Sequence, residues 1–174
     1  MRLHITGNAG SGKTTLAKQL GLILNMPVAS LDSVVWKEGW AAASKEERAL
    51  GEQQLLTKES WLIEGVSKTV REKADFVIFL DVPRQICLLR CFRRNLPYLF
   101  KSRPELPANC PEILIIPKLI KLIWMFPTLA KPSILKSMSL QRGIVFSKAA
   151  KLDDLVAHIK AELDGAGTTT KRET

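Results

Sequence analysis

Residues 7–14 read GNAGSGKT, and this stretch decides the fold predicted for the 174-residue chain. Its spacing is G-x-x-x-x-G-K-[ST], in which the glycines let successive backbone amides point towards one chain of phosphates. An apolar run at 3–6 precedes the stretch and predicts a strand, and apolar residues at helical spacing follow it. A helix that starts here adds the positive end of its dipole, so the sequence predicts a nucleoside triphosphate site.

Individual side chains of this loop have expected roles towards ATP and Mg²⁺. We expect Lys13 to reach the β- and γ-phosphates and the hydroxyl of Thr14 to bind the metal ion. The residues predicted to contact ATP are Gly7, Asn8, Ala9, Gly10, Ser11, Gly12, Lys13, Thr14 and Thr15.

Four more apolar runs predict strands, at 28–31, 61–65, 76–81 and 144–146. The run at 76–81 is apolar on both sides, which is typical of a sheet covered by helices on each face. Helical patterns alternate with these runs: a capping box of Ser44 and Glu47 opens a helix to about residue 60, another follows Pro83 to about residue 95, and an amphipathic helix spans 152–163. The alternation predicts a three-layer α/β P-loop NTPase fold with a five-stranded parallel sheet.

Residues 95–141 depart from this alternation because they contain seven prolines between short apolar runs. We interpret them as a helical insertion or lid within a single domain of residues 1–164, with a disordered tail at 165–174. Residues 113–130 resemble a membrane span in composition, but internal prolines and the central Lys118 and Lys121 argue against spanning.

The net charge of +9 is concentrated in one segment. Residues 84–142 contain 11 basic and 2 acidic side chains, whereas the charges balance on either side of them. Such a segment favours a polyanionic partner, namely nucleotide phosphates, nucleic acid or an acidic membrane surface. The N-terminus has no signal-peptide core, and three cysteines without C-x-x-C spacing indicate neither a disulfide framework nor a zinc ribbon. We therefore expect a cytoplasmic protein.

Two acidic residues that end the third and fourth predicted strands are candidates to hold Mg²⁺ with Thr14. Glu64 precedes Gly65, where the chain must turn sharply away and leave the carboxylate facing the crevice, so we favour Glu64. Asp81 is the other candidate, although a helix-capping role ahead of Pro83 is the interpretation that we favour for it.

Residues after the second strand are candidates to bind the phosphate acceptor. Asp32 could orient or deprotonate an attacking hydroxyl, or could instead be a helix N-cap or turn residue. Trp36 and Trp40 could form a wall on which a planar group stacks, or could pack in the core.

Arginines supply the remaining candidate charges. Arg90 and Arg94 share one helix face and could stabilise charge on the transferred phosphoryl group, although at least one arginine of this cluster would form a plain solvated face. Arg71, predicted in the loop before the fourth strand, could bind an acceptor phosphate or pair with a neighbouring glutamate. Cys87 and Cys91 are expected to be small buried apolar residues.

Several stretches together resemble the adenylate-kinase-related P-loop kinases, a group that includes DNA topology modulation proteins. These stretches are MRLHITGNAGSGKTTLAKQL, LDSVVWKEGW, WLIEG, VIFLDVP and LLRCFRR, and the resemblance covers residues 1–94 and more loosely 143–164. It implies a nucleotide-kinase-like fold with a lid that closes over ATP, with Arg90 and Arg94 in the lid region. The chain differs in having no arginine at 31–43 and EGVSK at 64–68, so an acceptor phosphate clamp would have to come from Lys37, Lys68 and Arg71.

These observations lead to one favoured function and two alternatives. The favoured function is an ATP- and Mg²⁺-dependent phosphotransferase that acts on a small hydroxyl or phosphate acceptor, with nucleosides and nucleotides among the candidates. A nucleotide-gated nucleic-acid-binding regulator that uses the basic segment is the first alternative, although no known nucleic-acid-binding motif supports it. Attachment of residues 113–130 to an acidic membrane surface is the second alternative.

Overall fold

Five apolar runs form strands in the computed structural model, which describes residues 1–100, 109, 111–139, 142–146 and 152–168, with side chains of the last helix described to residue 162. The strands are β1 (Arg2–Gly7), β2 (Val28–Ser30), β3 (Trp61–Glu64), β4 (Phe76–Leu80) and β5 (Gly143–Phe146). The helices of the described residues are α1 (Lys13–Ile23), α2 (Asp32–Val35), α3 (Lys45–Leu56), α4 (Lys68–Lys73), α5 (Arg84–Asn95), α6 (Ile116–Leu129), α7 (Lys131–Met138) and α8 (Leu152–Thr168).

All the strands are parallel and lie in the order β2-β3-β1-β4-β5. This arrangement confirms the predicted five-stranded parallel sheet. The central strand β1 therefore ends between the carboxyl ends of β3 and β4, where open parallel sheets form their binding crevice. The loop at 7–14 begins at that position.

Helices cover both faces of the sheet, which confirms the predicted layering. On one face, Leu3 and Ile5 of β1 pack with Leu20 of α1 and Leu155 of α8. On the other face, Phe79 of β4 packs with Phe126 of α6 and Ile134 of α7, while Trp61 packs with Val70 of α4. Successive strand residues point to opposite faces, so β1 and β4 must be apolar on both sides to be covered in this way.

Several boundaries differ from the sequence prediction. Helix α4 occupies a stretch predicted to be a loop, and the signal for it was Ser67, whose hydroxyl accepts a hydrogen bond of 3.2 Å from the amide of Val70 as an N-cap does. The single turn of α2 was also not predicted. The capping box at Ser44 does open α3, but that helix ends at Leu56, and α8 continues to Thr168 through four residues predicted as tail.

Residues 95–141, interpreted from the sequence as a helical insertion, include α6 and α7 between β4 and β5. Within it, residues 101–108, 110, 140 and 141 lie outside the described residues, as do residues 169–174 of the predicted tail. Asn8 of the loop at 7–14 donates a side-chain hydrogen bond of 2.9 Å to the carbonyl of Ile123, so α6 is attached directly to that loop. None of the described helices has both the length and the apolar character needed to cross a bilayer.

Candidate active site

The loop at 7–14 (hereafter the P-loop) curves tightly because its glycines adopt left-handed conformations. The φ angles of Gly10 and Gly12 are +76° and +104°, which favour glycine. The loop also lies directly on α5: a Cβ atom on Gly10 would come within 2.4 Å of the Cys87 carbonyl oxygen. Helix α1 begins at Lys13, so the amides of its first turn have no acceptor within the helix and face the crevice.

Two polar groups of this loop fit an oxyanion ligand. The Nζ of Lys13 donates a hydrogen bond of 2.9 Å to the carbonyl of Asn8, which holds the ammonium across the loop. Burial lowers the pKa of Lys13, while the carboxylates of Glu64 and Asp32 counteract that shift. The buried hydroxyl of Ser11 has no hydrogen-bond partner among the described residues. A phosphate oxygen would satisfy both groups.

Thr14 and Glu64, the predicted metal-binding pair, lie side by side. The Thr14 hydroxyl donates a hydrogen bond of 3.1 Å to Oε1 of Glu64, and the Ser30 hydroxyl donates one of 2.7 Å to the same oxygen. Glu64 is 4% exposed. Hydroxyl and carboxylate oxygens are the ligands that Mg²⁺ prefers, so these residues fit the ion chemically, while their binding of it stays a prediction.

Asp81 lies on the opposite face of the sheet from Glu64. Glu64 pairs in register with Ile5, and Ile5 packs on the face of the sheet that α1 covers. Leu80 packs on the same face. Because successive residues of a strand point to opposite faces, Asp81 points to the other face. There Lys131 of α7 donates to both Asp81 oxygens, at 2.7 and 2.9 Å. Helix α5 has no side-chain cap, so the capping interpretation of Asp81 was wrong.

The residues predicted to bind the phosphate acceptor lie in different environments. Asp32 is exposed at the start of α2, where its carboxylate makes no capping hydrogen bond and raises the pKa of Lys13. The rings of Trp36 and Trp40 meet edge to face, with centroids 5.4 Å apart, instead of forming one flat wall. Trp40 donates a hydrogen bond of 2.8 Å to the Pro111 carbonyl, and the Lys118 ammonium lies 4.6 Å from the Trp36 ring centroid. Both tryptophans thus connect this segment to the insertion.

Arg90 and Arg94 both lie near the P-loop. Arg90 donates a hydrogen bond of 3.1 Å to the carbonyl of Ser11. Arg94 donates to its neighbour Asn95 at 3.1 Å, and its charge lowers the pKa of Lys13. Arg93 between them is exposed, as expected for one member of this cluster.

Arg71 is on α4 rather than in a loop, and it is buried, with 3% of its surface exposed. Its guanidinium donates a hydrogen bond of 3.4 Å to the Ser133 hydroxyl of α7, and its Nε has no partner among the described residues. Burial lowers the pKa of Arg71, and the charge of the neighbouring Glu72 counteracts that shift. The predicted interaction with a neighbouring glutamate is therefore electrostatic, and no ion pair of Arg71 is formed within the part of the chain described.

Two hydroxyl residues of the site were not found from the sequence. Ser30 joins Glu64 to the acceptor side, because the amide of Asp32 donates to the Ser30 hydroxyl at 3.3 Å. Its position at the end of β2 was the sequence feature from which Ser30 could have been predicted as a site residue. Ser133 is remote from Arg71 in sequence and carried no signal. Cys87 and Cys91 are buried against Ile123, which confirms them as small apolar residues.

Solved structures that are similar in fold to this chain include small-molecule kinases. A shikimate kinase from Acinetobacter baumannii in complex with shikimate superposes with a TM-score of 0.57 and 17% identity, covering 99% of this chain and 95% of that one. A gluconokinase from Sinorhizobium meliloti 1021 superposes with a TM-score of 0.55 and 15% identity, covering 97% and 94%. A scan against protein-family models finds no match, and neither does a search of curated proteins. The fold is thus that of the P-loop kinases.

Proposed function

We propose that this protein is a kinase that transfers the γ-phosphate of ATP to a small hydroxylated acceptor. The observation that carries the proposal is the convergence of Lys13, Thr14 and Glu64 at the carboxyl edge of a P-loop kinase sheet. In the reaction, the acceptor oxygen bonds to the γ-phosphorus, the bond from that phosphorus to the β–γ bridging oxygen breaks, and ADP leaves.

Each residue of the candidate site has a proposed role that follows from its position. Lys13, Arg90 and Arg94 would neutralise charge on the phosphates, since all of them adjoin the P-loop. Mg²⁺, held by Thr14 and Glu64, would supply further positive charge to the phosphate oxygens. Asp32 would orient the acceptor hydroxyl and accept its proton, as its exposed carboxylate is close enough to influence Lys13.

The buried guanidinium of Arg71 supports an acceptor that is itself anionic. An unpaired buried charge is costly, and a bound carboxylate or phosphate would satisfy both its charge and its unpartnered Nε. Shikimate, named with one structural neighbour, combines hydroxyl groups with a carboxylate. We propose hydroxy acids and phosphorylated hydroxyl compounds as the acceptor class.

The insertion would act as the lid of this kinase. Its attachments to Asn8 of the P-loop and to Trp40 of the acceptor-side segment support this role, because they join it to both substrate-binding regions.

The test is acceptor-dependent ADP release from Mg-ATP. We would screen hydroxy acids, sugars, nucleosides and nucleoside monophosphates, with the variants Lys13→Ala and Lys18→Ala compared. Both variants remove one lysine from α1, but Lys18 is exposed outside the P-loop. We expect release with one acceptor class, lost in Lys13→Ala and retained in Lys18→Ala. Slow release that ignores every acceptor would contradict the proposal, as would full activity in Lys13→Ala.

A further inference from the structure

The outer sides of α5, the turn after it and α6 carry large apolar side chains that nothing covers in the described part of the chain. We call this the α5–α6 surface, and its members are Leu89, Phe92, Leu96, Ile120 and Trp124. Each of them is between 49% and 62% exposed. Monomeric proteins seldom expose apolar side chains in such a group without a binding role.

Helix α5 is apolar on two opposite sides. Cys87 and Cys91 are buried against Ile123 of α6, so one side is already packed. Leu89, Phe92 and Leu96 follow the i, i+3, i+7 spacing of a second stripe that faces outwards. A cavity of about 450 Å³ lies between this stripe and α6, and its lining is almost entirely apolar. The domain packs through the side of α5 that carries Cys87 and Cys91, and not through the second stripe.

Positive charge is interspersed with these apolar groups. The described residues of 84–100 and 111–139 include eight lysines and arginines and one acidic residue, Glu112, which is fully buried. Arg93 adjoins Phe92, Lys121 adjoins Ile120, and the Arg84 guanidinium lies 3.8 Å from the Trp124 ring centroid. Long basic side chains can rest their methylene groups on apolar surface while the charge reaches a polar layer.

We propose that the α5–α6 surface docks on a bilayer that contains anionic phospholipid. Lipid headgroups would pair with Arg93 and Lys121, and the apolar stripe would enter the boundary between headgroups and acyl chains. Trp124 suits that boundary, where tryptophan is enriched in membrane proteins. With 14 residues, α6 rises about 21 Å and would lie along the membrane rather than cross it.

Charge and side-chain type disfavour the other occupants. A second copy of the chain would bring like charges together on a surface that exposes no carboxylate among its described residues. Nucleic acid would match the charges but would place leucine and isoleucine side chains against phosphates, whereas single-stranded binding relies on aromatic stacking.

The experiment is flotation of the full chain with vesicles of phosphatidylcholine alone or of phosphatidylcholine mixed with phosphatidylglycerol. We expect the protein to float with the mixed vesicles only, and to detach at high salt because screening shortens the range of the attraction. The Leu89→Gln/Phe92→Gln and Arg93→Gln/Lys121→Gln variants should each bind roughly tenfold more weakly. Leu22→Gln is the matched control, since Leu22 is 84% exposed on α1, outside the surface.

Each contrary result overturns the proposal. Failure of the wild-type protein to float, equal flotation with both kinds of vesicle, or equal loss of binding in Leu22→Gln would do so. Sedimentation showing a dimer that Leu89→Gln/Phe92→Gln dissociates, without flotation, would assign the surface to a second copy. Salt-sensitive binding of DNA or RNA without flotation would assign it to nucleic acid. These readouts do not depend on kinase activity, and circular dichroism checks that every variant is folded.

Discussion

The Thr14 hydroxyl lies 3.1 Å from Oε1 of Glu64, although 50 residues separate the two in sequence. Thr14 is in the first turn of α1, and Glu64 is the last residue of β3, which pairs with β1 directly before the P-loop. Neither position is close to the other along the chain, so the contact depends on the order of the strands. The first prediction tests what this contact does.

Glu64→Gln should weaken the dependence on Mg²⁺ selectively. The amide keeps the size of the side chain and one oxygen for Thr14 and Ser30, but it removes the negative charge. We expect the Mg²⁺ concentration for half-maximal activity to rise roughly 10- to 100-fold, measured by titration of ADP release at fixed ATP. Asp81→Asn is the matched control, because Asp81 directly follows β4 and lies on the opposite face of the sheet. A larger shift in Asp81→Asn than in Glu64→Gln would contradict the assignment.

Arg71→Met should separate acceptor binding from folding. Removing a buried cation that forms no ion pair with a described carboxylate should leave the free energy of unfolding unchanged or raise it, while the KM for an anionic acceptor rises roughly 100-fold. The KM for ATP should change little. Arg142→Met, at the edge strand β5, serves as control in urea unfolding and steady-state assays. A large loss of stability with an unchanged acceptor KM would mean that Arg71 has only a structural role.

Gly10→Ala in the P-loop and Gly39→Ala outside it distinguish the steric from the conformational contribution of an added Cβ atom to the free energy of unfolding. Both glycines have left-handed φ angles, +76° and +69°, so alanine is strained at either position by about 1 kcal/mol. A Cβ atom at Gly39 meets nothing within 4 Å, whereas one at Gly10 approaches the Cys87 carbonyl to 2.4 Å and the Cys91 Sγ to 2.8 Å. We expect Gly10→Ala to cost at least about 2 kcal/mol more in urea unfolding, and to weaken ATP binding. Equal costs would show that α5 moves away freely.

In the His4→Leu variant, the free energy of unfolding should fall less steeply below neutral pH than it does in the wild-type protein. Burial, with help from the charges of Arg71 and Lys13, lowers the pKa of His4 to about 3, and neither ring nitrogen has a hydrogen-bond partner among the described residues. The unfolded chain takes up a proton below pH 6.5, the ordinary value, while the folded chain does not. The stabilising contribution of neutral His4 to the free energy of unfolding is therefore fully present above pH 6.5, and it falls as the pH decreases towards 3.

For the wild-type protein, the contribution of His4 to the free energy of unfolding should fall by roughly 2 kcal/mol between about pH 6.5 and pH 5. Urea unfolding across that range measures it. His158→Leu is the control, because His158 is exposed on α8 and should leave the slope unchanged. The same slope in His4→Leu and in the wild-type protein would contradict the assignment.

The sequence predicted local features well because they depend on neighbours along the chain. The glycine spacing at 7–14, the apolar runs of the strands and the capping box at Ser44 each describe a few adjacent residues, and the structure has all of them. The order of the strands was not predicted, because it depends on pairing between segments that are distant in sequence. The prediction placed Arg71 in a loop because it overlooked Ser67 as an N-cap, a signal that was present in the sequence.

The P-loop, the parallel sheet and the candidate roles of Lys13 and Thr14 could therefore be predicted from the amino-acid sequence. Tertiary structure placed Glu64 beside Thr14 and Asp81 beside Lys131 on the opposite face of the sheet, because these contacts depend on the pairing of segments that are distant in sequence. Helix packing also brought Ser133 to Arg71 across 62 residues, and one side of α5 is not covered by any of the described residues. Contacts between distant segments and the burial of charge arise only when the helices pack on the sheet, so only the folded chain could reveal them.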